Sequence, residues 1–122
     1  MEKNIFNLLD IIAQTIYDKK GFNILAIDVK NISSMTDYVI IAEGNVDRHV
    51  KGIASFVIEE MQRKNQHLFY KEGMESGDWI VLDYLDIMVH LFMPGLREKY
   101  QLEELLREGQ IIDLNIQIKE EK

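Results

Sequence analysis

The stretch DWIVLDYLDIMVHLF, residues 78–92, does most to limit what this chain can fold into. Two strand-like apolar runs meet at a turn flanked by Asp83 and Asp86, the pattern of a β-hairpin. A loop of two or four residues sets Asp83 opposite Asp86, Val81 opposite Met88 and Trp79 opposite His90, all six on one face. The alternate face carries Ile80, Leu82, Ile87, Val89 and Leu91, is uniformly apolar, and is therefore assigned to the core. Like charges placed opposite each other destabilise a hairpin, so the aspartates on the mixed face point to an exposed acidic site, a bound cation or a basic protein partner.

The rest of the chain supplies partners for that apolar face. Ile5, Leu8, Leu9, Ile12 and Ile16 form one helical stripe, and Gly21 stands where a left-handed C-terminal cap is expected. Residues 23–29 and 37–44 read as strands joined through Ser33, Ser34 and Thr36. Asn45 is the expected cap of a second helix, in which Val46, Val50, Ile53, Ala54, Val57, Ile58 and Met61 recur every three or four residues. A short strand near 67–71 precedes the hairpin, which Pro94 and Gly95 stop, and a third helix is predicted over 96–108. The tail alternates through Ile112, Leu114, Ile116 and Ile118, a pattern that fits a half-exposed edge strand and a flexible tail equally.

The predicted fold class is therefore α+β, with a mixed β-sheet of about five strands flanked by helices. The passage from strand to strand through the second helix calls for at least one parallel pair. No repeat or linker divides the chain, so residues 1–109 are expected to form a single domain, with 110–122 as a C-terminal extension.

Charge and composition restrict the function. Twenty-one acidic against 14 basic side chains give a net charge of −7, the opposite of what holds a phosphate backbone, so little direct nucleic-acid contact is expected. The same charge favours a basic protein partner. There is no cysteine, and no run approaches the roughly 18 apolar residues of a membrane span, so a cytoplasmic protein with no membrane contact is expected. His49, His67 and His90 lack ligand-like spacing and no glycine-rich phosphate cradle or P-loop lysine occurs, so neither a metal nor a cofactor is expected.

Three separated blocks resemble the Iojap or RsfS family of ribosomal silencing factors: residues 28–54, the hairpin, and REKYQLEELL, together reaching over roughly residues 5–107. The matching positions are Ser34, Thr36, Asp37 and Tyr38; Gly44, Arg48 and His49; Trp79, Asp83, Asp86 and His90; then Arg97, Tyr100, Leu102, Glu103 and Leu105. The chain departs from the family's pattern at Leu85, where glycine is usual, at Leu106, where tryptophan is common, and at Val46 and Asp47. The resemblance implies a fold similar to nucleotidyltransferases without their catalytic motif, and hence no enzymatic activity. It further implies binding to large ribosomal subunit protein fourteen, a steric block on subunit joining and repression of translation when nutrients fall, and it allows self-association into a homodimer when free.

On this reading the partner-binding residues are Trp79, Asp83, Tyr84, Asp86, His90 and Asp37. Most of these, and Thr36 beside them, also have a structural explanation: core aromatic for Trp79, solvated turn residues for Asp83 and Asp86, a histidine bonded to a backbone carbonyl for His90, and turn closure for Thr36 and Asp37. Arg48 and His49 fall in the first turn of the second helix, where a cation opposes the dipole, and an internal salt bridge to Asp37 or Glu43 is expected. Two alternatives are a homodimeric interaction module and a degenerate nucleotidyltransferase-like nucleotide binder. Active members of that fold pair carboxylates as Asp-x-Asp on one strand, whereas Asp83 and Asp86 are spaced by three across a turn.

Overall fold

The structure is a computed structural model that describes residues 2–96, Leu102 and 107–118, with side chains from Ile5 onward. The chain opens with helix α1, Glu2–Asp18, whose stripe buries Leu9, Ile12 and Ile16. Its end is a Schellman motif: Gly21 N–H reaches the Ile16 carbonyl at 2.8 Å and Lys20 N–H the Tyr17 carbonyl at 2.9 Å. The left-handed residue is Lys20, at φ 73°, and not Gly21 as the sequence pattern suggested. Glycine is needed at 21 for a different reason, since a Cβ there would lie 2.4 Å from Ile16 Cγ2.

Strand β1 (Phe22–Asp28) turns back into β2 (Tyr38–Glu43) as an antiparallel pair. Helix α2 (Asp47–Arg63) then buries Val50, Ile53, Ala54, Val57 and Met61. Its N-cap is Val46 rather than Asn45 and offers no side-chain acceptor. His49 performs the local bonding instead: its Nδ1 accepts the Asn45 N–H at 2.8 Å, which leaves the proton on Nε2, 2.7 Å from the Lys19 carbonyl. One imidazole thus ties the start of α2 to the end of α1. Among the described residues Arg48 makes no ion pair, so the expected internal salt bridge is not formed there.

Strands β3 (Tyr70–Glu72), β4 (Trp79–Asp83), β5 (Ile87–Phe92) and β6 (Gln110–Ile112) complete a six-stranded mixed sheet of order β3-β4-β5-β2-β1-β6. Among the described strands the one neighbouring pair that runs parallel is β2 with β5: α2 leads from β2 to β3 at the far edge of the sheet, and the antiparallel run β3, β4, β5 then returns to lie beside β2. Between β5 and β1, β2 is buried on both faces, which explains its unbroken apolar run. One face packs Ile40, Ile80, Leu82, Ile87, Val89 and Leu91 against α1 and α2. The other carries Ile27, Val29, Val39, Ile41 and Phe92, with Leu25, Trp79, Leu96 and Leu102 packed around them.

The hairpin faces agree with the sequence pattern, but its register does not. Asp83 pairs with Met88, Val81 with His90 and Trp79 with Phe92, a shift of two residues from the expected pairing. The turn is centred on Leu85 and Asp86: Tyr84 N–H donates to the Ile87 carbonyl at 2.8 Å and Asp86 N–H to the Tyr84 carbonyl at 3.0 Å. Leu85 accepts the positive φ of 76° that this tight turn demands, and Asp83 Oδ1 takes its N–H at 2.8 Å. A two-residue shift keeps every side chain on its face, which is why the face assignment survives the register error.

Beyond β6 the tail departs from the expected edge strand over 112–118. Its strand ends at Ile112, and the following residues run along α1, where Asp10 Oδ1 accepts Asn115 N–H at 3.0 Å and Gln14 Oε1 accepts Gln117 N–H at 2.7 Å. Two residues of extended chain and four residues of helix advance by about 6 to 7 Å and about 6 Å respectively, so side chains four apart on α1 match amides two apart on the tail. Ile112, Leu114 and Ile116 point inward, as their alternation indicated, while Ile118 is exposed. Of the predicted third helix, Leu96 and Leu102 are helical; Arg97, Tyr100, Glu103, Leu105 and Leu106 lie outside the described residues.

Candidate functional site

Leu96 and Leu102 pack over the outer sheet face around β1 and β2, and β3, β4 and β5 continue that face beyond them. The strand register fixes what this continuation presents. One cross-strand row runs Tyr70, Asp83, Met88, Val39; the next runs Glu72, Val81, His90, Ile41; a third runs Trp79, Phe92, Glu43. Tyr70 and Glu72 are exposed, and Trp79, Val81, Asp83, Met88 and His90 are half-buried, in contrast to the sealed core on the helix side. The result is a platform of aromatic, apolar and acidic side chains on rigid strands, a composition suited to protein contact.

Trp79 is fixed in place before any partner arrives. Its ring lies 5.1 Å from that of Phe92, and its Nε1–H donates to His90 Nδ1 at 3.1 Å. Burial pushes the His90 pKa down to about 4, so the ring is neutral near pH 7 and serves as acceptor for the indole. The local partner of His90 is therefore a tryptophan side chain and not a backbone carbonyl.

Asp86 and Asp37 meet at the turn end of the platform, where the Asp86 carbonyl accepts the N–H groups of Asp37 (3.2 Å) and Tyr38 (3.0 Å). This joins the β1–β2 loop to the hairpin turn and brings Asp37 and Asp83 to the same end of the sheet. Asp83 and Asp86 do not face each other, so the like-charge opposition read from the sequence is absent. Thr36 has the local role expected of it, donating its hydroxyl to the Tyr38 carbonyl at 3.3 Å.

Tyr84 must be removed from the acidic face. The strand alternation turns it to the helix side, where it packs against the core and its buried hydroxyl has no hydrogen-bond partner among the described residues. Burial pushes its pKa up to about 12. Conversely, Tyr70 and Glu72 belong to the platform and were not singled out from the sequence. A strand near 67–71 was legible, but only its register against β4 reveals which of its side chains stand beside Asp83 and Val81. Among the described residues no group of three or more histidine and carboxylate side chains could hold a metal, and no helix is long and apolar enough to cross a membrane.

Comparison with known proteins places this architecture. Residues 2–122 match the family described as "Ribosomal silencing factor during starvation". The ribosomal silencing factor RsfS of Haemophilus influenzae is 37% identical over 98 residues, 80% of this chain and 96% of that protein. The RsfS of Bacillus subtilis is 32% identical over 109 residues, 89% of this chain and 92% of its own length. A crystal structure of a protein from Chromobacterium violaceum superposes with a TM-score of 0.80 at 28% identity, covering 91% of this chain and 92% of that one.

Proposed function

This chain belongs to the RsfS family of ribosomal silencing factors, and we propose that it represses translation under nutrient limitation by binding the large ribosomal subunit and blocking its union with the small one. The contact is to protein fourteen of the large subunit, through the β3–β5 platform and its acidic turn end. The reading is steric rather than catalytic: the folded domain occupies the volume the small subunit needs. One observation carries it. An acidic chain holds Trp79, Tyr70, Val81 and Met88 on a continuous, partly open sheet face and ends that face with Asp83, Asp86 and Asp37. Basic side chains of a ribosomal protein complement those carboxylates, and desolvated charge pairs beside an aromatic anchor concentrate binding energy.

The test is co-sedimentation of the full chain with isolated large subunits, followed by addition of small subunits. Binding that prevents joining, and that is lost in a folded Asp86→Lys variant, supports both the function and the face. Asp86 is the cleaner probe than Asp83, whose carboxylate also holds the Leu85 amide. A wild-type chain that fails to sediment with large subunits overturns the proposal.

A further inference from the structure

Leu85 occupies the tip of the β4–β5 turn with its side chain 55% exposed and its backbone at φ 76°, a conformation that glycine adopts freely and a leucine does not. The side chain therefore forgoes burial while its backbone carries strain. The β1–β2 loop carries another exposed apolar side chain: Met35 is 75% exposed and stands two residues before the Asp37 amide that bonds to the Asp86 carbonyl, which joins this loop to the hairpin turn. Its own amide is held by Ser33 Oγ at 3.1 Å, so the loop is shaped locally without help from the methionine side chain. Asp83, Asp86 and Asp37 belong to these same two joined loops, with Asp83 Oδ1 on the Leu85 amide and the Asp86 carbonyl on the Asp37 amide.

We infer that Leu85 and Met35 are apolar anchors that extend the docking platform around the hairpin turn, and that together with the three carboxylates they fit a basic protein surface bearing an aliphatic depression. The inference rests on the proposed ribosomal reading and adds residues to its interface. Charge decides the occupant. A second copy of this chain meeting the same patch in an isologous contact would bring Asp37, Asp83 and Asp86 against their own equivalents, and a nucleic acid would bring phosphates against them. A basic surface alone satisfies both the carboxylates and the exposed aliphatic groups, with apolar contact at the centre of desolvated charge pairs.

Substitution at Leu85 separates binding from folding. Glycine relieves the strained φ and removes the side chain, asparagine tolerates the same φ and is polar, and Met35→Gln keeps length while losing apolar character. The experiment measures equilibrium binding of each full-length variant to salt-washed large subunits, with a thermal melt of each. Leu85→Gly is expected to melt at or above wild type yet bind about tenfold more weakly, with Leu85→Asn and Met35→Gln also weakened. Wild-type affinity in all three variants would overturn the anchors and leave the ribosomal reading standing. A Leu85→Gly chain that melts well below wild type would also overturn them, because the leucine would then be serving the fold. No binding by wild type would overturn the ribosomal reading itself.

Discussion

The indole of Trp79 donates its hydrogen bond to His90 at 3.1 Å, although the backbone partner of Trp79 is Phe92 and that of His90 is Val81. This is a diagonal contact between neighbouring rows of the sheet, within reach of aromatic side chains. It fixes the indole against Phe92 and requires His90 Nδ1 to remain unprotonated. A histidine chosen from the sequence as a candidate contact thus also orients the aromatic beside it.

His90 should make the fold sensitive to mild acid. Its folded pKa of about 4 lies below the ordinary 6.5, so between those values the unfolded chain binds more protons than the folded one. The contribution is fully present above pH 6.5 and is lost as pH falls toward 4. Full loss corresponds to a few kcal/mol, about 1.4 per pH unit across the window. Denaturant melts from pH 7 to 4 should show this slope in the wild type, and a folded His90→Gln chain should lack that part of it. An unchanged slope in the variant would mean that other groups set the acid response.

The sequence made the faces of the hairpin legible because alternation survives any shift of two residues, and it made α1 and α2 legible because their apolar stripes are long. It did not make the pairing legible. That depended on Leu85 accepting a positive φ, a choice that composition argued against and that the compact hydrogen bonding of the turn enforces. The candidate face was legible in the same measure: Trp79, Asp83 and His90 share the outer face, whereas Tyr84, one residue beyond β4, turns to the helices. Tyr70 and Glu72 escaped notice because a three-residue strand has too little alternation to reveal its faces. The path of residues 113–118 along α1 was invisible for another reason, since Asp10 and Gln14 look like ordinary solvated helix residues until the tail amides meet them.

Tyr84 offers a simple stability test. Its hydroxyl is buried with no partner among the described residues, and leaving such a group unpaired costs about 1 to 3 kcal/mol. Tyr84→Phe removes the oxygen while keeping the ring, so the variant should be more stable than wild type by on the order of 1 kcal/mol, measured as a higher urea midpoint at unchanged slope. A lower midpoint would show that the hydroxyl finds a partner in solution. Ribosome binding by this variant should equal wild type, because the ring lies on the face opposite the platform.

Gly21 should resist substitution despite its ordinary φ. An added Cβ would lie 2.4 Å from Ile16 Cγ2 and 3.0 Å from the Ile16 carbonyl oxygen, and Ile16 is fully buried. Relief must therefore move the Schellman turn or the core, at a cost of about 1 to 3 kcal/mol. Gly21→Ala should lower the thermal midpoint by several degrees, whereas Gly52→Ala, in open space on α2, should hold or raise it. Equal midpoints for the two variants would show that the α1–β1 junction yields easily.

Electrostatics at the turn end can be divided between charge and geometry by two substitutions. Asp83→Asn preserves an oxygen that can accept the Leu85 N–H while removing the charge, so the turn should persist and only attraction to a basic partner should fall. Asp86→Lys reverses a charge on an exposed side chain whose backbone carbonyl, not its carboxylate, joins the two loops. Both variants should keep the wild-type melting temperature within a few degrees. Affinity for large subunits should fall modestly for the first and by on the order of 2 kcal/mol or more for the second. Raising the salt should weaken wild-type binding more than that of either variant, because exposed charges separated by more than about 10 Å are screened at 0.1 M. Affinity that is indifferent both to salt and to Asp86→Lys would shift the interface to the apolar middle of the platform, around Trp79, Val81 and Met88.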